Sequence, residues 1–249
     1  MTVKLDTIQE ARPFASLPAP AREALAERAR EIEFSEDERL VPLGQPPQRL
    51  LVVIEGLVKL VGVSANGHER ILHVHRPGDV VGPGALLDNP PRDHEAAAMC
   101  DGRALALGKR DLLIVGRSHP SVILALAREV SRQLSTMTER MMAATSTEVP
   151  VRISRMLLDF ADGNSEEKGG ELVPLAHPLT HEVMAQIVGA SRPHTSTVLR
   201  DLEALDAVQR RSRRGLLVRP NRLRQIVETG DVDELLDSER SGRPVAMLD

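Results

Sequence analysis

Cysteine occurs once in the 249 residues, at Cys100. No disulfide can close within the chain, and no four-cysteine zinc or iron–sulfur site can form. Tyrosine and tryptophan are absent, and phenylalanine is confined to Phe14, Phe34 and Phe160. Proteins that grip RNA or single-stranded DNA stack bases on aromatic rings, so a nucleic-acid partner here is expected to be a duplex. Long apolar runs are missing too. The nearest, Leu50 to Val63, is interrupted by Glu55 and Lys59 and falls short of the roughly twenty residues that cross a bilayer. The opening MTVKLDTIQEARPF lacks the apolar stretch of a secretory signal. A cytoplasmic protein with no membrane partner is the expectation.

What is present is ordinary in bulk, 41% hydrophobic and 27% charged, and the length allows two modest domains. Residues 1–14 read as a short extension. Pro20 to Ile32 is alanine-rich and helical, with Leu25, Ala29 and Ile32 on one side. From Phe34 to about Leu113 come short apolar runs closed by Gly, Pro or Asn: LLVVIEG, LVKLVGV, ERILHVH, DVVG and RALALG. Such spacing predicts an all-β sandwich or barrel. Ser64-Ala65-Asn66-Gly67 falls between two of these runs, and Asn-Gly is a strong hairpin signal.

Pro120 to Thr145 predicts one long helix, in which Ile123, Leu126, Val130, Leu134, Met137, Met141 and Ala144 recur at steps of three and four. That seam suits packing on its own β domain or pairing with a second chain. The helix is longer than a small sandwich needs, so a parallel homodimer is expected, with Ile123, Leu126, Val130, Leu134, Met137 and Met141 at its interface. Glu148-Val149-Pro150 reads as a hinge, because proline drives the preceding residue out of the helical region. Val151 to Phe160 follows as a helix with Ile153, Met156, Leu157 and Phe160 inward, then Asp162 to Gly170 as a polar loop. Leu223 to Asp249 is an acidic tail, expected to be mobile after a helical turn or two.

Between loop and tail, Leu179 to Leu205 predicts two short helices around one glycine. Leu179, Val183, Met184 and Ile187 share a face of the first. Gly189 accepts the left-handed backbone that ends it. Ser191 is a good N-cap for the second, and Pro193 is tolerated in a first turn. There Val198, Leu202 and Leu205 face inward, while Arg192, Pro193, Ser196, Thr197 and Arg200 spread over the other side. Small residues allow close approach to a groove, hydroxyls reach phosphates, and arginine pairs with guanine O6 and N7. An ordinary helical hairpin has the same periodicity. The next residues shift the balance. Val208 to Arg222 reads as a two-stranded hairpin turning near Arg214-Gly215. From Ser191 to Arg222, eight arginines stand against Asp201, Glu203 and Asp206, in a chain of net charge −4. A compact positive segment on an otherwise acidic protein favours a polyanion, here double-stranded DNA.

Leu179-Thr180, Gln186-Ile187-Val188-Gly189, Ser191-Arg192 and Leu202-Glu203, with Glu55-Gly56-Leu57-Val58-Lys59 and Pro77-Gly78-Asp79 upstream, resemble the cyclic-AMP receptor protein / fumarate–nitrate regulator family of bacterial transcription factors. The resemblance spans about Leu17 to Arg222. It implies an α+β chain: a cyclic-nucleotide-binding-like β-roll of jelly-roll type at 15–116, a dimerisation helix at 117–147, a winged helix-turn-helix at 148–222 and a tail at 223–249. It also implies a transcription regulator bound as a homodimer to a near-palindromic duplex site, with RNA polymerase as a further partner. The residues it sets toward DNA are Thr180, Ser191, Arg192, Pro193, His194, Ser196, Thr197 and Arg200, joined by Arg213 and Arg214 of the wing. In the family the counterpart of Arg192 reads a guanine, and those of Thr180 and Ser191 hold phosphates. Pro193 and Thr197 replace a frequent acidic residue and a frequent second arginine, so the familiar target sequence does not carry over.

The effector pocket departs further. Gly82-Pro83-Gly84 and Arg92-Asp93-His94 stand where cyclic-AMP-binding members have a Gly-Glu-Leu run for the ribose and an Arg-Ser-Ala run for the cyclic phosphate. Gly82 and Arg92 match. Pro83 cannot accept the ribose proton, and Asp93 sets a negative charge beside a phosphate, an opposition on the order of a kcal/mol or more. Of the pair Met137 and Thr138 at the adenine position, only Thr138 has a hydroxyl. A residual pocket of Gly82, Arg92 and Thr138 is expected, with no cofactor and DNA binding without cyclic AMP. A cyclic-nucleotide-responsive regulator and a ligand-binding module without DNA are the alternatives. Haem would draw axial ligands from His68, His73, His75 and His94, but His73 and His75 alternate along a strand and read as surface residues. No nucleophile–base motif, phosphate loop or metal-ligand spacing accompanies Asp79, Asp88, Asp93, His94 and Glu95, so neither catalysis nor a metal site is expected.

Overall fold

A computed structural model describes residues 2–45, 48–63, 67, 69–86, 94–161, 171–211, 215–230 and 232. The chain divides into two compact units, Met1–Thr138 and Glu139–Asp249. The first opens with helices α1 (Thr2–Glu10) and α2 (Ala19–Arg28). The N-terminal segment is therefore not an extension: Ile8, Ala11 and Phe14 are fully buried, and their apolar surface belongs to the core. α2 also ends sooner than its alanine content suggests. Ala29 turns extended (φ −68°, ψ 142°), and Ile32 and Phe34 alternate on strand β1 (Arg30–Phe34) instead of continuing the helical face.

The strands that follow are β2 (Arg39–Val41), β3 (Arg49–Glu55), β4 (Val58–Val63), β5 (Glu69–His75), β6 (Val80–Val81), β7 (His94–Ala98) and β8 (Gly102–Gly108). They form two antiparallel four-stranded sheets, ordered β1-β8-β3-β6 and β2-β7-β4-β5. The sequence runs mark β3 to β6 and β8 but miss β1, β2 and β7. β7 reads His-Glu-Ala-Ala-Ala, poor in strand formers, and is held by pairing with β2 and β4 on either side. Residues 64–66 of the expected Asn-Gly turn lie outside the described residues, while β4 and β5 beside them pair antiparallel from Val63↔Glu69 onward.

β3 is buried on both faces, which its unbroken Leu-Leu-Val-Val run permits. Leu50 and Val52 join Leu105, Leu107 and residues of the helices in one core. Leu51 and Val53 join Phe34, Val58, Ala96, Ala98 and Ala104 in a second core between the sheets. Helix α3 (Lys109–Ser118) and the 27-residue α4 (Pro120–Ser146) follow. Leu126, assigned from the heptad pattern to a chain–chain interface, lies instead in the first core at 2% exposure and is not available to a partner. Ile123, Val130, Leu134 and Met141 are exposed, Leu124 and Met142 with them, and Met137 is half-buried.

The second unit contains α5 (Val149–Phe160), β9 (Val173–Pro174), α6 (His181–Val188), α7 (Arg192–Ala204), β10 (Val208–Arg210), β11 (Leu216–Val218) and α8 (Pro220–Thr229). The helical break falls at Thr147-Glu148, one residue ahead of the expected Glu148-Val149-Pro150, and Val149 is already helical, as is Pro150. The proline occupies the first turn of α5, where a missing N–H costs nothing, and the extended residue ahead of α5 is Glu148 (φ −65°, ψ 153°). α8 begins ahead of the tail and carries its first residues, Leu223 to Thr229, as the expected two helical turns, anchored by buried Leu223 and Ile226. The loop at 162–170 and the tail from 233 onward lie outside the described residues. Among the described residues no helix is long and apolar enough to cross a membrane.

Candidate nucleic-acid interface

Two capped helix starts organise the second unit. Thr180 is extended (φ −79°, ψ 156°), and its hydroxyl accepts a hydrogen bond from the Val183 N–H at 3.2 Å, opening α6. At the other end Gly189 adopts the left-handed conformation (φ 69°, ψ 41°) and the Ala190 N–H closes back on the Ala185 carbonyl. Two residues after that glycine, Ser191 caps α7, its hydroxyl accepting from the His194 N–H at 3.3 Å, with Pro193 in the first turn. The three residues Gly189–Ser191 thus stop one helix and start the next.

The face each helix buries was only partly legible. In α6 the buried residues are Met184, Ala185 and Val188, whereas Val183 and Ile187 are half-buried. Leu179 is buried as expected but precedes the Thr180 cap, so helical phase cannot be counted from it. In α7 Val198, Leu202 and Leu205 are buried, joined by Leu199 and by Thr195. Arg192, Pro193, His194, Thr197 and Arg200 are exposed, and Ser196 is half-buried. Thr197 does not stand alone, for its hydroxyl accepts from the Arg200 guanidinium at 3.1 Å, one turn on.

His181 is the residue the sequence reading missed. Its Nδ1 lies 2.8 Å from Ser196 Oγ, tying the start of α6 to the middle of α7. Burial, and then the charges of Arg210 and Arg192, push its imidazole below the ordinary histidine value, with Glu203 pulling the other way. A histidine just after the Thr180 cap, 15 residues from a serine on the helix that follows, is the signal that could have found it.

β10 and β11 pair antiparallel through Val208↔Val218 to Arg210↔Leu216, and β9 adds a third strand against β11. The Arg211 N–H donates to the Gly215 carbonyl at 2.9 Å. The wing arginines are not equivalent. Arg210 is bound to Glu203 of α7, and Arg219 pairs with Asp206 at 2.9 Å. Among the described residues Arg192 faces no acid, and Arg213 and Arg214 lie outside them. An exposed cation at a helix start, where the backbone dipole is already positive, makes this end of α7 attractive to an anion.

Of the expected effector residues, Gly82 follows β6 directly ahead of a 3-10 turn at Pro83–Leu86. Thr138 is exposed on α4, its hydroxyl donating to the Leu134 carbonyl of its own helix. Arg92 and His68 lie outside the described residues, and His94 begins β7. His73 and His75 are not surface residues. Both are buried, at 9% and 2% exposure, because the alternating positions Ile71, His73 and His75 of β5 turn to the inside.

Residues 31–119 match the family model for a cyclic nucleotide-binding domain, and residues 151–226 match that for a Crp-like helix-turn-helix domain. The chain is similar to a CRP-like cAMP-activated global transcriptional regulator of Mycobacterium tuberculosis, at 29% identity over 76% of this chain and 84% of that one. It is 32% identical to a cyclic AMP receptor protein of Thermus thermophilus, over 66% of this chain and 76% of the relative. Among solved structures, FixK2 of Bradyrhizobium japonicum shares the fold with a TM-score of 0.68 at 20% identity, over 79% of this chain and 96% of that one. With a nucleotide-binding-type β domain followed by a helix-turn-helix whose outward face is cationic, the chain belongs to the cyclic-AMP receptor protein / fumarate–nitrate regulator family of DNA-binding transcription regulators.

Proposed function

We propose that the protein regulates transcription as a homodimer on a near-palindromic duplex site, placing one α7 in each of two successive major grooves roughly 34 Å apart, without cyclic AMP as effector. The observation that carries the DNA reading is the exposed row of Arg192, Thr197 and Arg200 on a helix capped at Ser191 and clamped to α6 through His181. The Thr180 and Ser191 hydroxyls, at two helix starts, are suited to phosphates, and Arg192 to a guanine edge.

The dimer reading is supported by α4, where Leu134, Met141 and Met142 are each more than 60% exposed. Apolar surface of this size gains about 25 cal/mol per Å² on leaving water, and the same face of a second copy covers it with the two-fold symmetry a palindrome requires. Pro83 at the ribose position and the self-bonded hydroxyl of Thr138 support a regulator that does not use cyclic AMP. RNA polymerase is the partner through which bound DNA would be read out.

Selection of duplexes from a random pool, with and without cyclic AMP, tests the proposal. The expected result is one inverted repeat, enriched equally in both arms. Leu134→Glu is expected to sediment as a monomer and to lose the repeat. An unenriched pool sinks the DNA reading. Enrichment only with the nucleotide establishes the second reading, a cyclic-nucleotide-responsive regulator, which the name of the Mycobacterium tuberculosis relative favours.

A further inference from the structure

Buried imidazoles are uncommon away from a specific partner, and β5 carries two. His73 and His75 sit at i and i+2, on one face of the strand, with ring centroids 4.6 Å apart and planes at 78°. The chain then reverses through Arg76-Pro77-Gly78-Asp79. The Asp79 N–H donates to the Arg76 carbonyl at 2.9 Å, and Gly78 has φ 85°, a type II turn with proline and glycine at its two central positions. The turn aims the Asp79 carboxylate back at the strand it has just left. One oxygen accepts from the Arg76 N–H at 3.0 Å. Asp79 is itself buried, and a carboxylate oxygen and one ring nitrogen from each histidine all lie within 4.8 Å of one another.

We propose that His73, His75 and Asp79 form a binding site for a divalent first-row transition-metal ion. Donors held tetrahedrally at about 2.0–2.2 Å from such an ion stand roughly 3.3–3.6 Å apart, so side-chain movements of about an ångström bring these three to ligand distance. Two imidazoles and a carboxylate suit Zn²⁺, Co²⁺ or Ni²⁺; Mg²⁺ and Ca²⁺ prefer oxygen alone. The backbone N–H of Arg76 orients the Asp79 carboxylate, as outer-shell contacts do at metal sites. Two arginines stand nearby and do not block the ion. Arg12 approaches Asp79 at 3.6 Å but is 63% exposed and can swing into solvent. Arg132 is held by Glu129 through two hydrogen bonds. Its guanidinium is raised above the ordinary value first by that bonding and to a lesser degree by Asp79.

The site also reaches the long helix. Val80, next after Asp79, accepts a hydrogen bond at its carbonyl from Gln133 Nε2 of α4 at 3.1 Å. An ion that draws Asp79 toward β5 pulls on this bond, next to Leu134 and about one turn from Val130. Control of dimerisation by the ion is a corollary that rests on the proposed function; the metal site itself does not.

The test uses the purified full chain, dialysed against chelator and titrated with Co²⁺, Zn²⁺ and Mg²⁺ in the absence of DNA. The expected result is one Co²⁺ per chain with visible d–d bands, displaced by Zn²⁺ and untouched by Mg²⁺. His73→Gln and Asp79→Asn should each weaken binding by at least about tenfold, while His94→Gln and His119→Gln leave it unchanged. Arg12→Ala should tighten it about two- to fivefold by removing a competing cation. Should a ligand variant misfold, X-ray absorption of the wild-type cobalt complex decides, two imidazoles with one carboxylate supporting the site. No cobalt binding, binding indifferent to His73→Gln and Asp79→Asn, or a shell with a single imidazole overturns it. Because ion binding is read without DNA, a chain that binds metal and ignores duplex refutes the proposed function and leaves the metal site standing.

Discussion

Arg192→Ala separates recognition from folding. Arg192 is the first residue of α7, exposed, with no acidic partner among the described residues. A contact with a base edge would therefore break no ion pair, whereas Arg210 would first have to leave Glu203. A bidentate arginine–guanine pair accounts for about 1–3 kcal/mol of discrimination, so the substitution should weaken each half-site roughly 5- to 150-fold. A symmetric dimer feels the loss twice. Folding should move the other way. Removing a cation from a helix N-terminus relieves repulsion with the macrodipole by about 0.3–1 kcal/mol, so thermal stability should hold or rise slightly. The assay is fluorescence anisotropy on the selected duplex and on variants changed one base pair at a time. Discrimination should collapse at one base pair per half-site and persist elsewhere. Unaltered discrimination at every position, in a protein that melts normally, refutes the placement of α7 in the groove.

Three further outcomes follow from the same structure. Ser191→Ala removes the hydroxyl that caps α7 and should cost about 0.5–2 kcal/mol in urea melts; Ser191→Thr should restore most of it, and no loss would mean the cap is not formed. His181 is held below its ordinary value, so the unfolded chain takes up a proton where the folded unit does not. Stability should therefore fall as pH drops from about 6.5 through the lowered folded value, being fully present above that window. His181→Gln should flatten the slope, and an unchanged slope would assign it to another group. A Cβ at Gly102 would press on the Glu55 carbonyl oxygen and lie 2.5 Å from the Phe34 ring. Gly102→Ala should cost about 1–3 kcal/mol, and a melt like wild type would show that the β1–β8 pair relaxes freely.

Sequence reading succeeded where one local rule sufficed. Gly189, Ser191 and Pro193 mark α6 and α7 because caps and breakers act within a turn, and the inward positions Val198, Leu202 and Leu205 followed from periodicity. It failed where distant partners decide. Residues 1–14 read as a short extension, yet Ile8, Ala11 and Phe14 fill the core beside Leu50 and Leu105. Leu126 keeps perfect heptad spacing, yet its own β domain claims it. His73 and His75 obey strand alternation, but alternation does not say which face is inside. That is set by the pairing of β5 with β4, which lies beyond any local window. The bond from His181 to Ser196 likewise exists only once two helices are docked.

β3 is the shared wall of two packing layers, with Leu50 and Val52 turned to one and Leu51 and Val53 to the other. Neither layer can loosen while its neighbour stays intact, because a shift of this strand opens both at once. The β domain should consequently lose protection from hydrogen exchange in a single cooperative step. Amides of β3 and its partner β8 should exchange at the same, slowest rate, however far apart the two layers look on the surface.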